Sequence, residues 1–322
     1  MTPRLTLTVL DPTSLLGRDV ATRVARAFPS ARHRFFHTGA DPEHLIADLG
    51  GEAVLVAPLV DPEELAGTTA LVVTAPPASA ATASAILAWL RANPTVALVD
   101  ASQPGVAGDD ARCVVDAPPR ARPSRPWYHL VDPALAAPVR LVAALAPLAP
   151  DALVLTVIRP VAGLGTEGLE ELAAQGAARL SGHPLKGAGC LPAVLAFDLA
   201  PAPGERSAAL AAQLAELFPA MDHTLHVVDA GVFHGHLATM LVHCGAELGR
   251  EPVRRLIRGA PGFALARRSE VATVGGVVER GGMLCGDVRV HDGRVSAWLL
   301  ADGLRVGGAD AVVELLASLS AS

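Results

Sequence analysis

The sequence predicts a two-part α/β chain: a doubly wound parallel sheet at the N-terminus, then an α+β domain with a mixed sheet. Three observations carry this expectation. The chain has 322 residues, more than one ordinary domain holds. Through its first hundred residues, short apolar runs alternate with helix-period stripes, the pattern of parallel strands joined by right-handed crossovers. Further on, longer extended stretches include an Asp292-Gly293 hairpin signal between Val288-Arg289-Val290 and Val295 to Leu300.

Taken in order, Leu5 to Leu10 reads as a strand, and Leu16, Val20, Val24 and Phe28 then recur every fourth residue as one apolar helix stripe. Strands are expected at Arg32 to Phe36, Ala53 to Pro58 and Ala70 to Ala75, the last closed by Pro76-Pro77. A helix over Ser79 to Ala92 and a strand over Val96 to Asp100 follow. From Gln103 to Pro126, Pro, Gly and Arg dominate, and Pro118-Pro119 and Pro123 break regular structure, so a surface connector is expected there. Pro133 to Leu148 reads as a helix with Pro in its first turn, Ala152 to Val157 as a strand and Thr166 to Leu180 as a helix. Val227 to Cys244 and Met283 to Leu300 read as extended, and Ala309 to Leu319 as a closing helix.

Composition excludes several function classes. Hydrophobic residues are 51 % and charged residues 18 %, enough apolar material for sizeable cores, while aromatics are only 3 %. The net charge of −6 is spread without long single-sign runs, and no basic stripe interleaved with aromatics offers an electrostatic footprint for nucleic acid. No apolar run reaches the roughly 20 residues of a membrane span, and Met1-Thr2-Pro3-Arg4 leads into a strand without a signal-peptide core. Cys113, Cys190, Cys244 and Cys285 are scattered, so reduced thiols in a cytoplasmic protein are expected, with no structural metal. His226, His234 and His236 share parity if the segment is one strand, but match no standard ligand spacing. Arg250, Arg254, Arg255 and Arg258 form the basic face of a short helix, expected to be solvated.

Four local signatures, in order, resemble the aspartate-semialdehyde dehydrogenase family. Leu7 to Gly17 (LTVLDPTSLLG) stands where that family has a strand and G-A-T-G-x-V-G. Val161 to Gly168 (VAGLGTEG) resembles its S-G-x-G turn, and Val232 to His236 (VFHGH) its strand ending in Gly-His. Trp298 to Gly307 (WLLADGLRVG) is close to its W-x-x-A-D-N-L-R-K-G. The resemblance implies a Rossmann-type domain at 1–130, a catalytic and dimerisation domain at 131–303, and a C-terminal helix at 304–322 returning to the first domain. It also implies a nicotinamide cofactor and a homodimer.

The chemistry that the resemblance implies is incomplete in this chain. Acylation coupled to hydride transfer needs a thiolate nucleophile and a His that takes and returns protons. Counting back from Pro147-Leu148 along a helix expected at Val139 to Leu148 puts Ala136, or a neighbour in Leu135 to Pro138, at the family's Cys position; no Cys, Ser or Thr is near. Cys244 shares the His236 face by parity but lies roughly 27 Å along an extended chain. Arg159 stands at the family's Gln, Ala162 at its Ser, and Asp229 near its substrate-binding Arg; a phosphate-binding Arg falls near Val106. Only His236 of the catalytic set is kept, as a vestige without a thiol to activate.

The nucleotide turn is altered too. Thr13, Ser14, Leu15, Leu16 and Gly17 are the candidate cofactor-binding residues, with capping of the helix near Leu15 as the alternative role for Thr13 and Ser14. Asp11 would face a diphosphate with like charge, and Pro12 removes an amide donor. His37-Thr38-Gly39 lacks the family's Arg for a 2′-phosphate, so NAD or NADP binding is expected to be weakened. The sequence therefore reads as a catalytically inactive homologue: a dimeric scaffold, protein partner or weak ligand-binding protein. The alternative is an NAD(P)-dependent semialdehyde dehydrogenase with a displaced catalytic residue.

Overall fold

The structure, a computed structural model, describes residues 5–39, 43–116, 124–185, 189–244, 249–267 and 271–320. Met1-Thr2-Pro3-Arg4 and the helix-breaking Pro118, Pro119 and Pro123 lie outside the described residues. The chain divides into two compact units, residues 1–131 with 308–322, and residues 132–307.

The first unit is built on an eight-stranded sheet of order β3-β4-β2-β1-β5-β6-β8-β7. Its strands are β1 (Thr6–Leu10), β2 (Arg32–His37), β3 (Leu45–Asp48), β4 (Ala53–Pro58), β5 (Ala70–Val73), β6 (Ala97–Asp100), β7 (Arg112–Val114) and β8 (Trp127–Leu130). All pairs are parallel except β3 on β4. The chain runs from β1 to β2 on one side and to β5 on the other, so the carboxyl ends of β1 and β5 flank a topological switch point. Helix α1 (Leu15–Ala27) buries Leu16, Val20 and Val24, the stripe read from the sequence, and α2 (Ala80–Ala92) is capped by Ser79. Helix α8 (Asp310–Ser320) packs beside α1, where Arg23 pairs with Asp310 at 2.8 Å.

Five short strands were not expected: β3, β7 and β8 here, and Leu199–Pro201 and Phe263–Leu265 in the second unit. β7 lies inside the stretch read as a surface connector, and Cys113 on it is buried. Its three residues carry no readable period; the ladder to Tyr128, His129 and Leu130 creates the strand. β3 is likewise an edge hairpin arm made by pairing with β4.

The second unit carries a seven-stranded mixed sheet of order β10-β11-β9-β12-β15-β14-β13. These are β9 (Ala152–Arg159), β10 (Leu199–Pro201), β11 (Asp222–Ala230), β12 (His236–His243), β13 (Phe263–Leu265), β14 (Met283–His291) and β15 (Arg294–Ala301). The expected Asp292-Gly293 turn joins β14 to β15, with both residues at positive φ. One sheet face, carrying Leu153, Leu155, Val157, Ala238, Met240, Val242 and Leu299, is buried. Helix α3 (Pro133–Ala144) packs against β9, β12 and β15, α5 (Gly204–Leu217) against β11, and α6 (Arg250–Gly259) against β13 and β14. Helix α4 (Gly165–Ser181) anchors a separate apolar cluster around Leu172, Leu191 and Leu195. On the opposite sheet face, α7 (Val274–Arg280) covers Leu284 and Leu300, while Val154 and Leu241, directly paired across the β9/β12 ladder, remain exposed.

The stretch read as one extended segment, Val227 to Cys244, is two strands joined by a turn with Gly235 at positive φ. Parity therefore does not carry from His226 to His236. His226 pairs with Thr156 on the outer face, and no group of three His, Cys, Asp or Glu that could hold a metal occurs among the described residues. On α6, Glu251 pairs with Arg254 and Arg258, which leaves a partly neutralised, mostly solvated face.

Candidate functional site

In the second unit, polar side chains meet on the buried sheet face at the end of β9. Asp229 on β11 pairs in register with Arg159 on β9. One row past Leu237↔Ile158, the β9/β12 ladder sets Arg159 opposite His236, which in turn pairs with Ala301 on β15. Asp229, Arg159 and His236 thus form one row across three adjacent strands, and each is buried. Strand alternation explains why they share a face: each is an even number of residues from a core neighbour, Val227, Val157 and Ala238.

The start of α3 lies over this row. Asp132 caps the helix through the Ala134 amide at 2.8 Å, Pro133 follows at its first position, and Gln213 Oε1 accepts the Asp132 N–H at 2.8 Å. That cap starts the helix at Pro133, not at Val139 as counted from the Pro147-Leu148 landmark, and Ala136 lies inside its first turn. Ala136 is buried, and a Cβ added at Gly307 would come within 2.7 Å of its methyl. Gly303 lies against His236: a Cβ there would overlap the imidazole and approach the Pro133 carbonyl to 2.9 Å.

Electrostatically, His236 is held neutral. Burial lowers its pKa to about 4, with Asp132 opposing and Arg159 adding to the effect. Its Nδ1 is buried without a hydrogen-bond partner among the described residues, and so is Nη1 of Arg159. Asp229 is engaged by Arg206 of α5 at 3.4 Å. The row, Asp132 and α3 contain no Cys, Ser or Thr. Asp132, Gly303 and Arg206 escaped the sequence reading; the Asp-Pro pair at a helix start was the available signal for the first.

Within the second unit, none of the thiols adjoins His236. Cys244 follows the far end of β12, and Cys190 is exposed in the loop after α4. Cys285 shares the buried face, but sheet spacings put it two strands and two residues away, about 12 Å. Burial pushes its thiol up to about 12, with Arg254 opposing, so it stays protonated.

In the first unit, the turn after β1 keeps a strand–turn–helix path. Ser14 is the N-cap of α1, its Oγ accepting the Gly17 N–H at 3.0 Å, so the capping role is realised by Ser14. Thr13, Leu15 and Leu16 surround it, and a Cβ at Gly17 would strike the Asp11 carbonyl. Asp11 sits at positive φ, and its carboxylate accepts from the Thr38 N–H and Oγ, each at 2.8 Å. Thr38 Oγ also accepts from the Ala78 N–H at 3.2 Å. This chain laces the loops after β1, β2 and β5 together across the switch point. Burial raises the Asp11 pKa, against the Thr38 hydrogen bonds and the nearby His37. A dinucleotide's diphosphate does not fit this turn as it stands: it would meet a carboxylate, lack the Pro12 amide, and have to break the Thr38 links.

No protein-family model matches the sequence, and neither does any curated protein. Solved structures do match. Aspartate semialdehyde dehydrogenase II of Vibrio cholerae, complexed with ASA, superposes with a TM-score of 0.83 at 20% identity, covering 99% of each chain. A probable aspartate-semialdehyde dehydrogenase of Pseudomonas aeruginosa gives 0.79 at 20% identity over 97% of each chain. The Candida albicans enzyme with NADP gives 0.70 at 14% identity over 99% of each chain. This protein has the two-domain α/β fold of the aspartate-semialdehyde dehydrogenases.

Proposed function

We propose that this protein uses that fold without the acyl-transfer chemistry, as a homodimeric scaffold or weak small-ligand-binding protein. One observation carries the reading: among Asp229, Arg159 and His236 of the row, Asp132 and the residues of α3, no side chain is a thiol or hydroxyl. A neutral, buried His236 then has no nucleophile to deprotonate. Ala136, at the position counted for the family's Cys, serves packing against Gly307. The alternative of a displaced nucleophile would fall on Cys285, the thiol on the same face, and burial keeps it in its unreactive form.

The Asp11–Thr38–Ala78 chain opposes tight binding of NAD or NADP, since a diphosphate would have to break it. The exposed Val154 and Leu241 on the outer sheet face support a two-fold dimer in which a second copy covers them. No helix among the described residues is long and apolar enough to cross a membrane, and the free cysteines accord with a reducing compartment such as the cytoplasm. The test is spectroscopic: purified protein with aspartate semialdehyde, phosphate and NAD or NADP. The expected result is no nicotinamide reduction; brisk reduction would overturn the reading.

A further inference from the structure

We propose that Arg159 is the receptor for a single small organic monocarboxylate, bound non-covalently at the end of β9. The inference rests on the non-catalytic reading above and names the ligand class of that same site. Arg159 is 6 % exposed, and its Nη1 has no hydrogen-bond partner among the described residues. A guanidinium cannot shed its charge to escape burial, so it needs a counter-ion from somewhere.

The protein's own carboxylates around it are committed. Asp229, its in-register neighbour, is engaged by Arg206, and Asp132 caps α3 through the Ala134 amide. His236 across the ladder is neutral near pH 7, so it offers no charge of either sign. The guanidinium fork stands beside the turn at Gly163, where even a methyl would press on Nη2 at 3.2 Å. A planar carboxylate matches two parallel N–H donors of such a fork. The two carboxylates nearby select a monoanion: phosphate or a dicarboxylate would bring a second negative charge toward Asp132 and Asp229.

Calorimetric titration and thermal-shift measurements on the full chain test this with acetate, pyruvate, succinate and inorganic phosphate, using wild type, Arg159→Gln and Arg159→Met. Acetate or pyruvate is expected to bind wild type and raise its melting midpoint. Succinate and phosphate are expected to bind at least tenfold more weakly, and both variants to lose at least tenfold in acetate or pyruvate affinity. The unliganded variants are expected to melt at or above the wild-type midpoint, because a buried guanidinium with a donor unpartnered among the described residues has been removed. Absence of acetate and pyruvate binding, equal binding by Arg159→Gln, or tighter binding of phosphate overturns the inference. A marked loss of unliganded stability in both variants also overturns it, because Arg159 would then already have a partner within the protein. Nicotinamide reduction in the same preparation would instead sink the non-catalytic reading, and the affinity comparison would still decide the ligand class.

Discussion

Arg159 and His236 face each other across the β9/β12 ladder, one row beyond Ile158 and Leu237, and both are more than nine-tenths buried with a nitrogen that has no partner among the described residues. Buried polar nitrogens of this kind are costly, so their presence side by side marks the row as a place where the fold serves something other than stability.

The imidazole makes stability depend on pH. Its folded pKa of about 4 lies below the ordinary 6.5, so the unfolded chain takes up the proton first as pH falls. The stabilisation is complete above about pH 6.5 and is lost toward pH 4, a change of about 3 kcal/mol. Denaturant unfolding of wild type and His236→Gln at several pH values should show wild type losing more stability over that window. Parallel pH profiles would contradict the buried, neutral assignment.

Gly303 has to lack a side chain because the His236 ring and the Pro133 carbonyl occupy the space a Cβ would take. Gly303→Ala is expected to cost roughly 1–3 kcal/mol, as overpacked cores do. Adding His236→Ala should recover part of that loss, since the imidazole is one of the two obstacles. Additive effects in the double variant would show that ring and glycine do not meet.

At the nucleotide-type turn, burial raises the Asp11 pKa above its ordinary value. A raised acid favours the fold while protonated and loses that contribution as pH climbs through its folded pKa. Asn tolerates the positive φ and can still bridge Thr38. Asp11→Asn should therefore be more stable than wild type near pH 7, with the gap closing in acid. Chemical denaturation at pH 7 and pH 4 measures both, and a variant less stable at pH 7 would refute the account.

Glu171 gathers the Gly189, Cys190 and Leu191 amides at 2.7 to 3.0 Å. Although burial opposes it, these donors hold its carboxyl down at about 2. The clip is complete above the ordinary carboxylate value and opens as pH falls toward 2. Cys190 is the exposed thiol of the four, and burial with the neighbouring Glu171 raises its pKa. Alkylation followed by peptide mass spectrometry should label Cys190 ahead of Cys113, Cys244 and Cys285, and Glu171→Gln should speed it severalfold. Unchanged Cys190 labelling in the variant would deny the electrostatic link.

For the proposed dimer, Leu241→Lys puts a charge among the exposed apolar side chains of β9 and β12. Sedimentation should shift from dimer to monomer with the far-ultraviolet spectrum intact. A wild-type monomer at micromolar concentration, or a variant that still dimerises, would rule out this face.

How far the sequence can be read depends on the length of each signal. The Leu16, Val20 and Val24 stripe and the Asp292-Gly293 turn are local codes with many residues or strict φ requirements, and they agree with the structure. β3 and β7 are too short to show a period, and partner strands create them. The Val227 to Cys244 stretch misled because strand propensity does not mark where one strand ends and the next begins.

Alone, the sequence determined which chemical groups exist: a parallel α/β first half, a His without a nearby thiol in the chain, and a carboxylate where a phosphate loop has glycine. Only tertiary structure decided what those groups meet. Strand register brought Asp229, Arg159 and His236 into one row from segments some 70 residues apart, and burial then set the protonation of His236. Register and desolvation arise from long-range pairing and packing, which a residue's sequence neighbours do not encode.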